Sequence, residues 1–117
     1  MDTLINQNCI PIDRNSTGLK NEEIELLSSD VPDWFIVDED GVLQLHRDFK
    51  LKNFSEALTL TNAIGEIAEE QNHHPMITLT WGQVTVRWWT HTVGGLHKND
   101  YIMAAKTSAI YQKLADR

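Results

Sequence analysis

The chain has little of what would staple, anchor or charge it for a polyanion. Among its 117 residues there is one cysteine, Cys9, so no disulfide can close within the chain, and a reducing, cytoplasmic location is expected. No apolar run reaches the roughly 20 residues of a membrane-spanning helix, so no membrane association is expected. Lysine and arginine total 10 against 17 aspartates and glutamates, a net charge of −7 with no basic cluster, which argues against nucleic acid as a partner and leaves small polar ligands open. The opening stretch MDTLINQNCIPIDRN lacks the basic segment and apolar core of a signal peptide. It reads as a poorly ordered lead-in over residues 1–18, ahead of a single domain over 19–117. Neither an internal repeat nor a low-complexity segment interrupts that domain. An apolar content of 41% is enough for one modest core.

What is present alternates between helical and strand patterns. In LKNEEIELLSSDVPDW, Asn21 is placed to cap a short helix with Glu22 and Glu23 in its first turn, and Pro32 forbids continuation. DWFIVDEDGVLQLHRDF offers two strands around DEDG, whose Asp and Gly suit a tight hairpin turn. Asn53 and Glu56 have capping-box spacing before an apolar stripe of Phe54, Ala57, Leu58, Leu60, Ile64, Ile67 and Ala68, the mark of the longest helix. MITLTWGQVTVRWWTHT gives a second hairpin around Gly82. Its alternation puts Val84, Val86, Trp88 and Thr90 on one face, expected as core, and Thr85, Arg87, Trp89 and His91 on the other. HKNDYIMAAKTSAIYQKLADR reads as a final helix with Asp100 in its first turn. The resulting order, α-β-β-α-β-β-α, predicts an α+β fold: a four-stranded antiparallel sheet with helices packed on one face.

Chemistry concentrates in AEEQNHHPMITLTW and in WWTH. Pro75 pushes His74 out of the helical region, so His73 and His74 stand at the exit of the long helix, with Glu69 about one turn earlier and able to accept a hydrogen bond from an imidazole there. His91, at the far end of a strand that can hairpin back beside Met76–Thr80, is expected near the pair. Zinc would favour spacings such as H-x-x-x-H or C-x-x-C, which are absent, and no metal site is expected. For a lone histidine such as His46, satisfaction of a local group is the simpler reading. Acid–base chemistry suits the three clustered imidazoles, and no serine elbow or placed cysteine competes as nucleophile.

Glu69, His73-His74-Pro75, Trp81, His91 and Asp100, at these spacings, resemble the active-site signature of the pterin-4a-carbinolamine dehydratases. The likeness extends over about residues 19–115, through Trp34 and THTVGGLHKNDYIMAAK, and the element order is that of the family. It implies a hydro-lyase that eliminates water from 4a-hydroxytetrahydropterin to give quinonoid dihydropterin, without a cofactor, in support of an aromatic amino acid hydroxylase. By position, His73 and His91 would be the acid–base residues and His74 would bind the pterin. Glu69 would support the site from the helix side, and Trp34 would pack against the ligand unless it is ordinary core. Thr90 and Trp89 would line the pocket. Asp100 would serve either the substrate or only the helix dipole. Asn72 stands where some members carry an acid, and His97 where many have a capping threonine. The same resemblance implies a homodimer or homotetramer. It also offers an alternative in which the fold acts as a protein-binding dimerisation cofactor without essential catalysis.

Overall fold

Two tight turns set up the sheet. At Asp40 and Gly41 the backbone takes φ of +52° and +87°, the left-handed pair whose twist matches a two-residue hairpin, and Asp38 Oδ1 accepts the Gly41 amide at 2.7 Å. In this computed structural model, which describes residues 3–116, that turn joins β1 (Phe35–Glu39) to β2 (Val42–Lys50). Trp81 and Gly82 likewise join β3 (Met76–Thr80) to β4 (Gln83–Trp88), and a Cβ at Gly82 would crowd the Leu51 carbonyl at 3.2 Å. Every pairing is antiparallel, in the spatial order β1-β2-β4-β3.

Three helices, α1 (Asn21–Ser28), α2 (Phe54–Gln71) and α3 (Lys98–Ala115), complete the expected order. Short 3-10 turns at Leu4–Asn6 and His91–Val93 are added to it. The Asn53 side chain caps α2 by accepting the Glu56 amide at 2.9 Å. Asn21, expected as a cap, is instead the first residue of α1; Lys20 precedes it and sends its amide to Glu23 Oε1 at 2.8 Å. The apolar stripe of α2 is narrower than its sequence suggests, because Phe54 and Leu58 stay exposed while Ala57, Leu60, Ile64 and Ala68 are buried.

α2 and α3 lie on one face of the sheet, and the core forms between. Period-two alternation sends Val84, Val86 and Trp88 of β4 inward beside Leu45 and Phe49 of β2, against Leu60, Ile64, Tyr101 and Met103. Each such side chain contributes about 1.5–3 kcal/mol when fully buried. On the opposite face Phe35, His46, Arg87 and Met76 form one cross-strand row, and Arg87 Nε donates to His46 Nδ1 at 2.9 Å. The stretch before Leu19, expected as a loose lead-in, holds a buried anchor: Leu4 joins the core, and Lys106 Nζ donates to the Ile5 carbonyl at 2.8 Å. Met1, Asp2 and Arg117 lie outside the described residues.

Candidate active site

The site begins where α2 stops. Asn72 adopts φ 53° and ψ 44°, a left-handed conformation that asparagine tolerates better than most residues, and its amide returns to the last turn of the helix. With Pro75 excluding helix at His74, the chain swivels, and the two imidazoles diverge. His73 turns inward and is 7% exposed, its ring parallel to that of Trp88 at 5.9 Å between centroids and 9° between planes. His74 turns outward, where its Nε2 donates to Glu69 Oε2 in a short, exposed pair. The Glu69 contact therefore goes to His74 and not to His73, because the swivel at Asn72 takes His73 off the helix face that carries Glu69. As a surface pair it contributes at most about 1 kcal/mol.

Behind His73 lies a fully buried carboxylate. His73 Nε2–H donates to Asp100 Oδ1 at 2.6 Å, while Asp100 Oδ2 accepts the Thr90 hydroxyl at 2.8 Å and the His97 amide at 2.9 Å. Asp100 and His97 form a reciprocal cap on α3, since His97 Nδ1 accepts the Asn99 amide at 3.0 Å. Burial, more than any neighbour, lowers the pKa of His97; Asp100 opposes that shift and His73 adds to it. The loop leading into α3 is closed by Thr90 and Gly95, whose backbones pair through the Thr90 amide and the Gly95 carbonyl at 2.8 Å. That closure brings the α3 N-terminus to Thr90 and His73.

With Nε2 committed to Asp100, the free position on His73 is Nδ1. Among the described residues no buried side-chain nitrogen or oxygen lacks a partner, and Nδ1 has none, so this edge must be the accessible one. It meets a cavity of about 290 Å³ lined by His73, His74, Thr90 and His91, with Ile12, Asn72, Trp89 and Thr92 completing the wall. His91 is exposed at the rim, on the first residue of a 3-10 turn and three residues beyond β4, not on the strand itself.

The structure thus brings His73, His74, His91, Thr90 and Trp89 to one cavity, with Asp100 behind it and Glu69 reaching it through His74. Trp34 stands apart. It sits one residue before β1, buried in the core, with Nε1 donating to Ser108 Oγ at 2.8 Å and its ring edge-on to Phe49. Trp81 caps the second hairpin, 69% exposed. Ile12 and Thr92 are the lining residues that sequence reasoning missed: Thr92 directly follows His91, but no periodicity links Ile12 to residues 60 and more positions away. Among the described residues, no group of three histidine, cysteine or acidic side chains is disposed to hold a metal ion.

Imidazoles around a small cavity, one of them clamped by a buried carboxylate, can exchange protons with a bound molecule without forming a covalent bond to it. Such a site on a one-sided α+β sheet has close counterparts. A model of the family described as Pterin 4 alpha carbinolamine dehydratase matches residues 17–110. A Microcystis aeruginosa protein, provisionally named a pterin-4-alpha-carbinolamine dehydratase, is 46% identical over 113 residues, covering 97% of each chain. A Marinobacter nauticus protein with the same provisional name is 47% identical over 111 residues, 95% of this chain and all of the relative. The crystal structure of a Brucella melitensis transcriptional coactivator/pterin dehydratase superposes with a TM-score of 0.73 at 29% identity, covering 81% of this chain and 99% of that one. A pterin dehydratase-like protein described as a RuBisCO assembly factor in the alpha-carboxysome shares the fold at a TM-score of 0.58 and 18% identity, over 68% of this chain and 89% of that one. The chain belongs to the pterin-4a-carbinolamine dehydratase family.

Proposed function

We propose that the chain is a hydro-lyase that dehydrates 4a-hydroxytetrahydropterin to quinonoid dihydropterin and so returns the pterin to an aromatic amino acid hydroxylase. The observation that carries this reading is His73, held at Nε2 by Asp100 and free at Nδ1 in a cavity shared with His74 and His91. In the reaction the C4a–O bond breaks and the hydroxyl takes a proton from an imidazolium to leave as water. The N5–H bond gives its electron pair to a C4a=N5 double bond, and its proton passes to a neutral imidazole. We assign these transfers to His73 and His91. Asp100, by accepting from Nε2, keeps the His73 ring in one tautomer and one orientation. His74, fixed by Glu69, binds and orients the pterin. Thr90 restrains the carboxylate, and residues 19–117 carry the catalytic constellation.

Stopped-flow recording of carbinolamine dehydration tests the proposal. The protein should accelerate decay well above the spontaneous rate, and His73→Ala should lower kcat by roughly 10²–10⁴-fold. A second reading has one observation in its favour, the coactivator named together with the dehydratase in the Brucella melitensis structure. It predicts spontaneous-rate decay together with retention of one stoichiometric protein partner in a pull-down.

A further inference from the structure

The family match begins at residue 17, yet the cavity wall begins at Ile12. What holds Ile12 there is a short run of chain fastened at two points. The Asn99 side chain, 1% exposed, spends both its polar atoms on one residue of that run: Oδ1 accepts the Ile10 amide at 3.0 Å and Nδ2 donates to the Ile10 carbonyl at 2.8 Å. At the other point Gln71 Oε1 accepts the Cys9 amide at 2.8 Å, and Gln71 Nε2 donates to Asn8 Oδ1 at 3.0 Å. Gln71 is the last residue of α2, two before His73; Asn99 lies between His97 and Asp100. The anchors are therefore the same two helix ends that set the His73–Asp100 pair. Pro11, with its fixed φ and no amide hydrogen to satisfy, carries the chain from the Asn99 anchor at Ile10 to the cavity.

We infer that Asn8–Ile12 is a strap forming one wall of the site, and that Ile12 is a substrate-contacting, specificity-determining residue for a reduced pterin; this rests on the pterin reading of the cavity. Ile12 is the one aliphatic side chain in the lining, among imidazoles, hydroxyls, an amide and an indole. A reduced pterin has polar edges that such groups can match, but its saturated C6 and C7 carbons and the C6 substituent need an apolar contact. The wall that provides it is built by the strap.

The test compares wild type with Ile12→Ala, which truncates the contact, and Gln71→Ala, which releases the strap at a residue outside the cavity lining. Carbinolamine kinetics are read beside fluorescence titration with 7,8-dihydropterin, a pterin that cannot dehydrate. In Ile12→Ala, KM should rise by roughly 3–10-fold with kcat changed less than about twofold, and dihydropterin affinity should fall in parallel. Gln71→Ala should shift KM the same way and speed hydrogen exchange at the Cys9 and Ile10 amides. If Ile12→Ala loses its fold, Gln71→Ala decides alone. Wild-type KM and affinity in the variants of an active protein would overturn the strap and leave the dehydratase reading standing. An inactive wild type that binds dihydropterin more tightly than Ile12→Ala does would uphold the strap and remove the reaction. A chain that neither turns over nor binds the pterin overturns both.

Discussion

Asp100 carries two loads that its position in the sequence offers as alternatives. One oxygen takes His73, and the other takes the α3 cap and Thr90. An asparagine cannot accept from all three donors, because its NH₂ must face at least one of them. Asp100→Asn is therefore expected to lower stability by about 1–3 kcal/mol and kcat/KM by at least roughly tenfold. Melting curves and kinetics on the one variant check it, and loss of only one property would show that the loads are separable. Division of labour within the histidine pair follows from their divergence: His74→Ala should act mainly on KM, in contrast to the kcat loss at His73. Equal kcat losses at both, with KM untouched, would contradict the assignment. Trp34, expected as a ligand-packing residue or as core, is set by its Ser108 bond and its contact with Phe49 in the core. Trp34→Phe should lower the melting temperature and leave KM unchanged.

Among the elements, α3 begins on a cap that titrates. His97 caps the helix through Nδ1, an acceptor only while the ring lacks a proton there, and burial holds its pKa below the ordinary 6.5. Below that value the unfolded chain binds a proton that the folded chain resists, so stability must rise with pH in this window. The contribution is fully present above 6.5 and is lost as pH falls from there toward the depressed folded value. Asp100 and His73 are the titratable groups facing the ring, and the first opposes the shift while the second reinforces it. Chemical denaturation of wild type and His97→Thr across this range is expected to show a shallower pH slope in the variant, since threonine caps without titrating. Parallel slopes would place the acid sensitivity elsewhere.

For the whole molecule, the divergence of His73 and His74 bears on metal dependence. One Nε2 is committed to a buried carboxylate and the other to an exposed one, so the pair does not converge on a point. Full activity is expected after exhaustive chelation, and stoichiometric zinc whose removal abolishes turnover would contradict it. Among the described residues the sheet also ends in two unpaired edges, β1 and β3, and its uncovered face displays Phe35 and Met76, 53% and 41% exposed. Open edges and apolar surface invite a second copy, and sedimentation is expected to give a dimer or tetramer. A monomer at micromolar concentration would refute that.

The element order, both hairpins, the inward face of β4 and the end of α2 were legible in the sequence because they follow from local rules: alternation, turn chemistry and the exclusion of helix before proline. The histidine cluster was legible as a motif. Its wiring was not. Which imidazole turns inward depends on a left-handed Asn72, and the joining of Asp100 to His73 depends on the Thr90–Gly95 closure that brings α3 back across the end of β4. The sequence does not decide Trp34 between ligand and core for the same reason: burial is a property of what packs around a side chain, here Phe49 and Ser108. Ile12 left no trace in any local pattern, because its place is set by hydrogen bonds from Gln71 and Asn99, 59 and 87 positions along the chain by their numbers, and contacts at that separation exist only once the chain has folded.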